Sequence, residues 1–128
     1  MSKVVLDASA VLAFINEEPG AETVEQYLNN AAISAANLSE VVAKLMEKGL
    51  SKALTVELIE ALNLKVVAVC EEQAITAGVL RLATKPLGLS LGDRLCIALG
   101  KYLKKPIVTT DRQWQKLDIE GVAVRLVR

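Results

Sequence analysis

Four acidic side chains stand where carboxylates can do chemistry. Asp7 follows directly on the apolar run 4–6, and Asp111 follows the run 107–109 by way of Thr110. Asp93 lies three residues after Ser90, and Glu40 three residues after Asn37. The chain has eleven glutamates but only four aspartates, so three aspartates at such junctions stand apart from the general acid content. Singly, each has a local explanation. Asp7 and Asp111 can cap helices, and the Asn37/Glu40 and Ser90/Asp93 pairs have the spacing of capping boxes. Jointly they describe a cluster, because in a parallel sheet with right-handed crossovers the helices begin near the carboxyl ends of the strands. Ligands bind at that edge, where strand order reverses. Helix macrodipoles favour negative charge there, but several carboxylates in one pocket still repel unless a cation joins them. Oxygen-only ligands select a hard divalent ion, Mg²⁺ or Mn²⁺. Such an ion orients a phosphodiester, helps deprotonate water and stabilises the leaving oxygen.

The rest of the composition narrows the chemistry in the same direction. There is no histidine, which removes Ser-His-Asp and Cys-His nucleophiles. With two cysteines and no imidazole, the usual zinc shells are excluded as well. Fifteen basic and fifteen acidic residues cancel, so no global field attracts a polyanion and any nucleic-acid contact rests on local basic patches. Cys70 and Cys96 both lie in apolar surroundings and are expected to be buried thiols of a reducing compartment.

The elements that must position the acids follow from periodicity. Residues 3–6, 65–69, 107–109 and 122–126 are short apolar runs that read as strands, with a further short strand at 32–34. Helical spacing covers 8–16, 21–28, 37–48, 51–62, 71–84 and 90–103, with a short helix at 111–116. Strands alternating with helices make an α/β fold with a parallel sheet covered on both faces. The length of 128 residues, 52% hydrophobic and 23% charged, suits a single domain spanning 1–128 rather than a disordered chain. The apolar run after Lys3 is too short for a secretory signal, and no stretch is long enough to span a bilayer. A cytoplasmic location without membrane contact is therefore expected.

Four segments carry a family resemblance that extends over essentially the whole chain. Val4-Val5-Leu6-Asp7-Ala8-Ser9-Ala10, Asn37-Leu38-Ser39-Glu40-Val41, Leu89-Ser90-Leu91-Gly92-Asp93-Arg94-Leu95-Cys96-Ile97-Ala98 and Ile107-Val108-Thr109-Thr110-Asp111 with Trp114 resemble, in order and spacing, the four acidic motifs of PIN domains. The subgroup most similar is the VapC-type toxins of toxin–antitoxin pairs. The resemblance implies a three-layer α/β/α fold around a five-stranded parallel sheet, and a metal-dependent endoribonuclease that acts as a homodimer and is held by a small cognate antitoxin. It implies Asp7, Asp93 and Asp111 as ligands of Mg²⁺ or Mn²⁺, with Glu40 reaching the ion through water. Ser9, Thr109 and Thr110 would orient the carboxylates or serve only local turns.

Arg94 and Arg112, each following a proposed ligand, could touch substrate phosphate or form surface ion pairs. Trp114 suits packing better than base stacking, and Lys101, Lys104 and Lys105 suit a helix C-terminus. The competing functions are a nuclease of the same fold acting in RNA processing or on DNA, and a PIN-fold binding module without activity. A phosphoacceptor receiver domain fits poorly, because Asp7 is followed by Ala8 rather than by a second acid.

Overall fold

A computed structural model describes residues 2–128. Five strands form one sheet in the order β3-β2-β1-β4-β5, namely β1 (Val4–Leu6), β2 (Ala31–Ser34), β3 (Lys65–Val67), β4 (Ile107–Thr109) and β5 (Val124–Leu126). Every pairing is parallel. This is the expected α/β arrangement. The central strands β1, β2 and β4 are buried along their whole length, as strands covered on both faces must be.

The helices are α1 (Ala8–Ile15), α2 (Ala21–Tyr27), α3 (Ala35–Glu47), α4 (Lys52–Leu62), α5 (Glu71–Val79), α6 (Arg81–Thr84) and α7 (Leu91–Leu103). Two apolar clusters flank the sheet. Leu6, Val11, Val24, Ile33, Val41 and Leu45 belong to one, and Val5, Leu80, Ile97, Leu99, Ile107 and Trp114 to the other. Trp114 is buried in the core. Gly100 is where α7 lies hard against β4, since a Cβ there would come within 2.5 Å of Ile107 Cγ1.

Several boundaries differ from the sequence reading for identifiable reasons. β3 stops at Val67 rather than at residue 69, because its partner β2 ends at Ser34, opposite Val67. β5 begins at Val124 rather than at 122, because β4 offers its first partner at Ile107. The expected helix 71–84 is two helices that change over at Leu80, whose side chain is drawn into the core while Val79 and Leu82 remain exposed. Residues 112–116 are a 3₁₀ segment rather than an α-helix. Cys96 is buried as expected, but Cys70 is only half-buried, at the N-cap of α5.

The largest change is at α3. It starts at Ala35, where Ser34 Oγ accepts the Ala36 N–H at 3.2 Å and acts as the cap. Asn37 is therefore the third residue inside the helix and not its cap, so the Asn37/Glu40 pair is not a capping box. Among the described residues, no helix is long and apolar enough to cross a membrane.

Candidate active site

The strand order reverses at β1, with β2 on one side and β4 on the other. The groups that follow β1 and β4 thus meet at the carboxyl edge of the sheet, the usual ligand crevice of open α/β folds. Asp7, directly after Leu6, holds its backbone N–H on Val108 O at 3.0 Å. It occupies the N-cap position of α1 but makes no side-chain cap bond. Its Oδ2 instead accepts two hydroxyls, Ser9 Oγ at 2.6 Å and Thr109 Oγ1 at 2.9 Å. Both hydroxyl protons point at Asp7, so the lone pairs face outward. Ser9 Oγ accepts the Thr110 N–H at 3.2 Å, and Thr109 Oγ1 accepts the Asp111 N–H at 3.1 Å. Ser9, Thr109 and Thr110 thus weld the end of β4 to the start of α1 around one carboxylate.

Asp7 is almost fully buried, and its carboxyl is pushed up from 3.8 to about 6. Burial is the main cause; the Ser9 and Thr109 hydrogen bonds oppose it, and the charges of Asp93 and Glu40 add to it. Full burial, with the charges of Asp7, Asp93 and Glu40 adding to it, holds the Cys96 thiol well above its ordinary value, which leaves it protonated and inert. Asp7, Glu40 and Asp93 are therefore gathered closely enough to feel one another. Asp111 joins through the shared Thr109 hydroxyl rather than through its charge.

Glu40 reaches the edge from α3, and Asn37 holds it there. Asn37 is fully buried, and its Nδ2 donates to Glu40 Oε1 at 2.7 Å and to Gly92 O, in the first turn of α7, at 3.0 Å. The Glu40 carboxylate packs directly on Gly92, where a Cβ would come within 2.6 Å of Oε2. Asn37 was missed as a site residue because its spacing to Glu40 imitates a cap. The presence of Gly92 immediately before Asp93 was the available signal. Asp93 does form a true capping box, with Oδ2 accepting the Ser90 N–H at 2.9 Å and Ser90 Oγ accepting the Asp93 N–H at 3.1 Å. Asp111 Oδ1 accepts the Gln113 N–H at 2.9 Å.

A pattern emerges across the four acids. Each engages one oxygen with a protein donor, leaving Asp7 Oδ1, Glu40 Oε2, Asp93 Oδ1 and Asp111 Oδ2 without one among the described residues. Among the described residues no lysine or arginine pairs with any of them, the two ion pairs there being Lys44–Glu47 and Arg128–Glu18. Uncompensated carboxylates with free oxygens fit a hard cation. No three of these groups converge tightly enough to chelate one ion as they stand, so binding would require the side chains to close in.

The Arg94 guanidinium is engaged within the protein. Its Nη1 donates to Ala77 O in the last turn of α5 at 2.9 Å, where a cation complements the helix C-terminus. The geometry makes Arg94 a clamp between α5 and α7. Arg112 is exposed. Among the other acids, Glu17, Glu18, Glu22, Glu25, Glu57, Glu60, Glu71 and Glu72 are all exposed.

The clamp on Glu40 yields a direct expectation. Asn37→Leu removes both donors and also the buried Asn37 Oδ1, which has no partner, so the fold loses little. Support of this kind around a ligand is worth about 10–100-fold in metal affinity or activity. A Mn²⁺ binding titration should shift by that amount while the melting temperature stays within a few degrees. An unmoved titration would show that Glu40 needs no support.

An open parallel sheet with acidic side chains at its switch point defines an α/β protein with a negatively charged crevice at the carboxyl edge. The PIN domain family model matches residues 4–120, and the chain belongs to that family. The fold is similar to that of DNA-bound VapBC from Salmonella typhimurium, with a TM-score of 0.76, 20% identity and 100% of each chain covered. VapBC2 from Rickettsia felis bound to a DNA fragment from its promoter gives 0.75 at 17% identity, covering 96% of this chain and 97% of that one. VapBC-1 from nontypeable Haemophilus influenzae gives 0.73 at 19%, covering 96% of each. No curated protein matches significantly.

Proposed function

We propose that this chain is a metal-dependent endoribonuclease, the toxin of a type II toxin–antitoxin pair, which hydrolyses RNA phosphodiester bonds. The observation that carries the reading is the set of four carboxylates in a PIN-family chain, each with one oxygen held by the protein and the other free. Asp7, Asp93 and Asp111 would hold Mg²⁺ or Mn²⁺ directly, with Glu40 contacting it through water. The bound ion supplies electrophilic polarisation of the phosphodiester and a lowered pKa for the attacking water. The protein's own part is orientation. Ser9 and Thr109 fix the rotamer of Asp7, Asn37 and Gly92 fix Glu40, and the capping box fixes Asp93.

The likeness to solved VapBC complexes supports a small antitoxin as partner; a homodimeric working unit and a cytoplasmic location belong to the same proposal. The test incubates purified protein with an RNA and a DNA of the same sequence, with Mg²⁺, with Mn²⁺ and with EDTA. Internal cleavage of RNA with either ion and none in EDTA is expected. Preferential cleavage of DNA would reassign the substrate, and intact nucleic acid under all conditions would leave a binding module.

A further inference from the structure

A groove opens from the acidic crevice along α1. Ser9 and Thr110, the neighbours of Asp7, form its near end, and Leu12 and Asn16 line its floor. Lys44, Glu47 and Lys48 come from the end of α3 and Arg128 from beyond β5, and the volume is about 460 Å³. From Ser9 to Asn16 the floor runs about 10 Å at the rise of a helix. We propose that this groove is a subsite for the sugar–phosphate backbone of the nucleic-acid strand, next to the scissile bond. The proposal rests on the nuclease reading and adds where the strand runs.

Charge is the physical argument. A polyanion approaching four carboxylates on a chain of zero net charge gains nothing from the global field, so local cations must offset the repulsion. Three cations and two acids, Glu18 and Glu47, line the groove, a net charge of +1; the two lysines are weakly engaged, while Arg128 also donates its Nε to Pro19 O at 3.1 Å. Lys48 Nζ rests on the neutral amide of Asn16 at 2.9 Å. Lys44 meets Glu47 at 3.7 Å with both side chains about two-thirds exposed, and Arg128 meets Glu18 at 3.1 Å. An exposed pair such as Lys44–Glu47 contributes little to stability, so an incoming phosphate displaces it cheaply. The other basic concavity, lined by Lys101, Lys104 and Lys105, lies at the far end of α7 from Asp93 and is separated from the crevice.

The experiment uses the full chain in EDTA with a fluorescent single-stranded RNA decamer, so that binding is read without cleavage. Lys44→Gln combined with Lys48→Gln should weaken binding about ten-fold at low salt. It should also flatten the dependence of log affinity on log salt by about 1, as loss of one to two phosphate contacts does for a single strand. Lys101→Gln, the same kind of charge removal at the far end, should change both by less than two-fold. With metal present, the double variant should raise KM and keep kcat. Unchanged binding by the double variant, or an equal loss in Lys101→Gln, overturns the subsite even if the wild-type protein cleaves RNA. Loss of binding confined to the double variant, in a protein that cleaves nothing, would sustain the subsite and sink the nuclease instead.

Discussion

Asp7→Asn is expected to abolish cleavage and at the same time to make the metal-free protein more stable at neutral pH. Asparagine keeps the shape, and its Oδ1 can still accept the Ser9 and Thr109 hydroxyls that now reach Asp7 Oδ2. What it loses is a charge. The Asp7 carboxyl sits at about 6 in the folded chain, against an ordinary 3.8, chiefly because it is buried and secondarily because Asp93 and Glu40 stand near it. Between those values the folded protein binds more proton than the unfolded one, so stability falls as pH rises. The protein is free of this penalty below about pH 4 and carries it in full above about pH 6. A gap of about two units corresponds to about 3 kcal/mol as an upper figure.

In EDTA at pH 7, Asp7→Asn should therefore melt several degrees above the wild type, and the difference should vanish near pH 4. Adding Mn²⁺ should raise the wild-type melting temperature and leave the variant almost unmoved. Cleavage should fall by at least about 100-fold, the scale of losing several kcal/mol of electrostatic stabilisation. Melting curves at both pH values and a cleavage assay decide it. A variant as active as the wild type would show Asp7 to be a structural carboxylate.

Gly92→Ala should slow cleavage about ten-fold or more with little change in stability. A methyl group at Gly92 would fall within 2.6 Å of Glu40 Oε2 and 2.7 Å of its Cδ. Those atoms end a flexible side chain, so Glu40 swings away rather than straining the backbone. Alanine is also the better helix former by about 1 kcal/mol, and position 92 is the second residue of α7. The fold is thus untouched or slightly favoured, while Glu40 leaves the donor on Asn37 and the edge it shares with Asp7. A drop in kcat of about ten-fold or more is expected, with the melting temperature equal to or above that of the wild type. Retained kcat would mean that Glu40 acts from more than one position. A collapse in stability would mean that α7 cannot adjust.

The identities of the acids and the order of the elements were readable along the chain. Buried parallel strands such as Val4–Leu6 and Ile107–Thr109 are continuous apolar runs, and a carboxylate placed just after one marks the end of the strand. The Ser90/Asp93 cap was equally legible, because it is a contact between residues three apart. Asn37 and Arg94 were not. The start of α3 depends on where β2 finishes, and that puts Ser34 at the cap and Asn37 inside. Arg94 turns to Ala77 because α5 lies alongside α7, a neighbour 17 residues away in sequence.

Local chemistry, then, was determined by sequence alone: which residues can carry charge, and which of them follow an apolar strand run or cap a helix three residues on. Which oxygen of each carboxylate stays free was decided only in three dimensions. The donors that occupy the other oxygen of Asp7 include Thr109, 102 residues away, and Glu40 is positioned on Gly92, 52 positions later in the chain. Hydrogen bonds between distant segments have no periodicity to betray them, and they exist only once the sheet has brought its strand ends together.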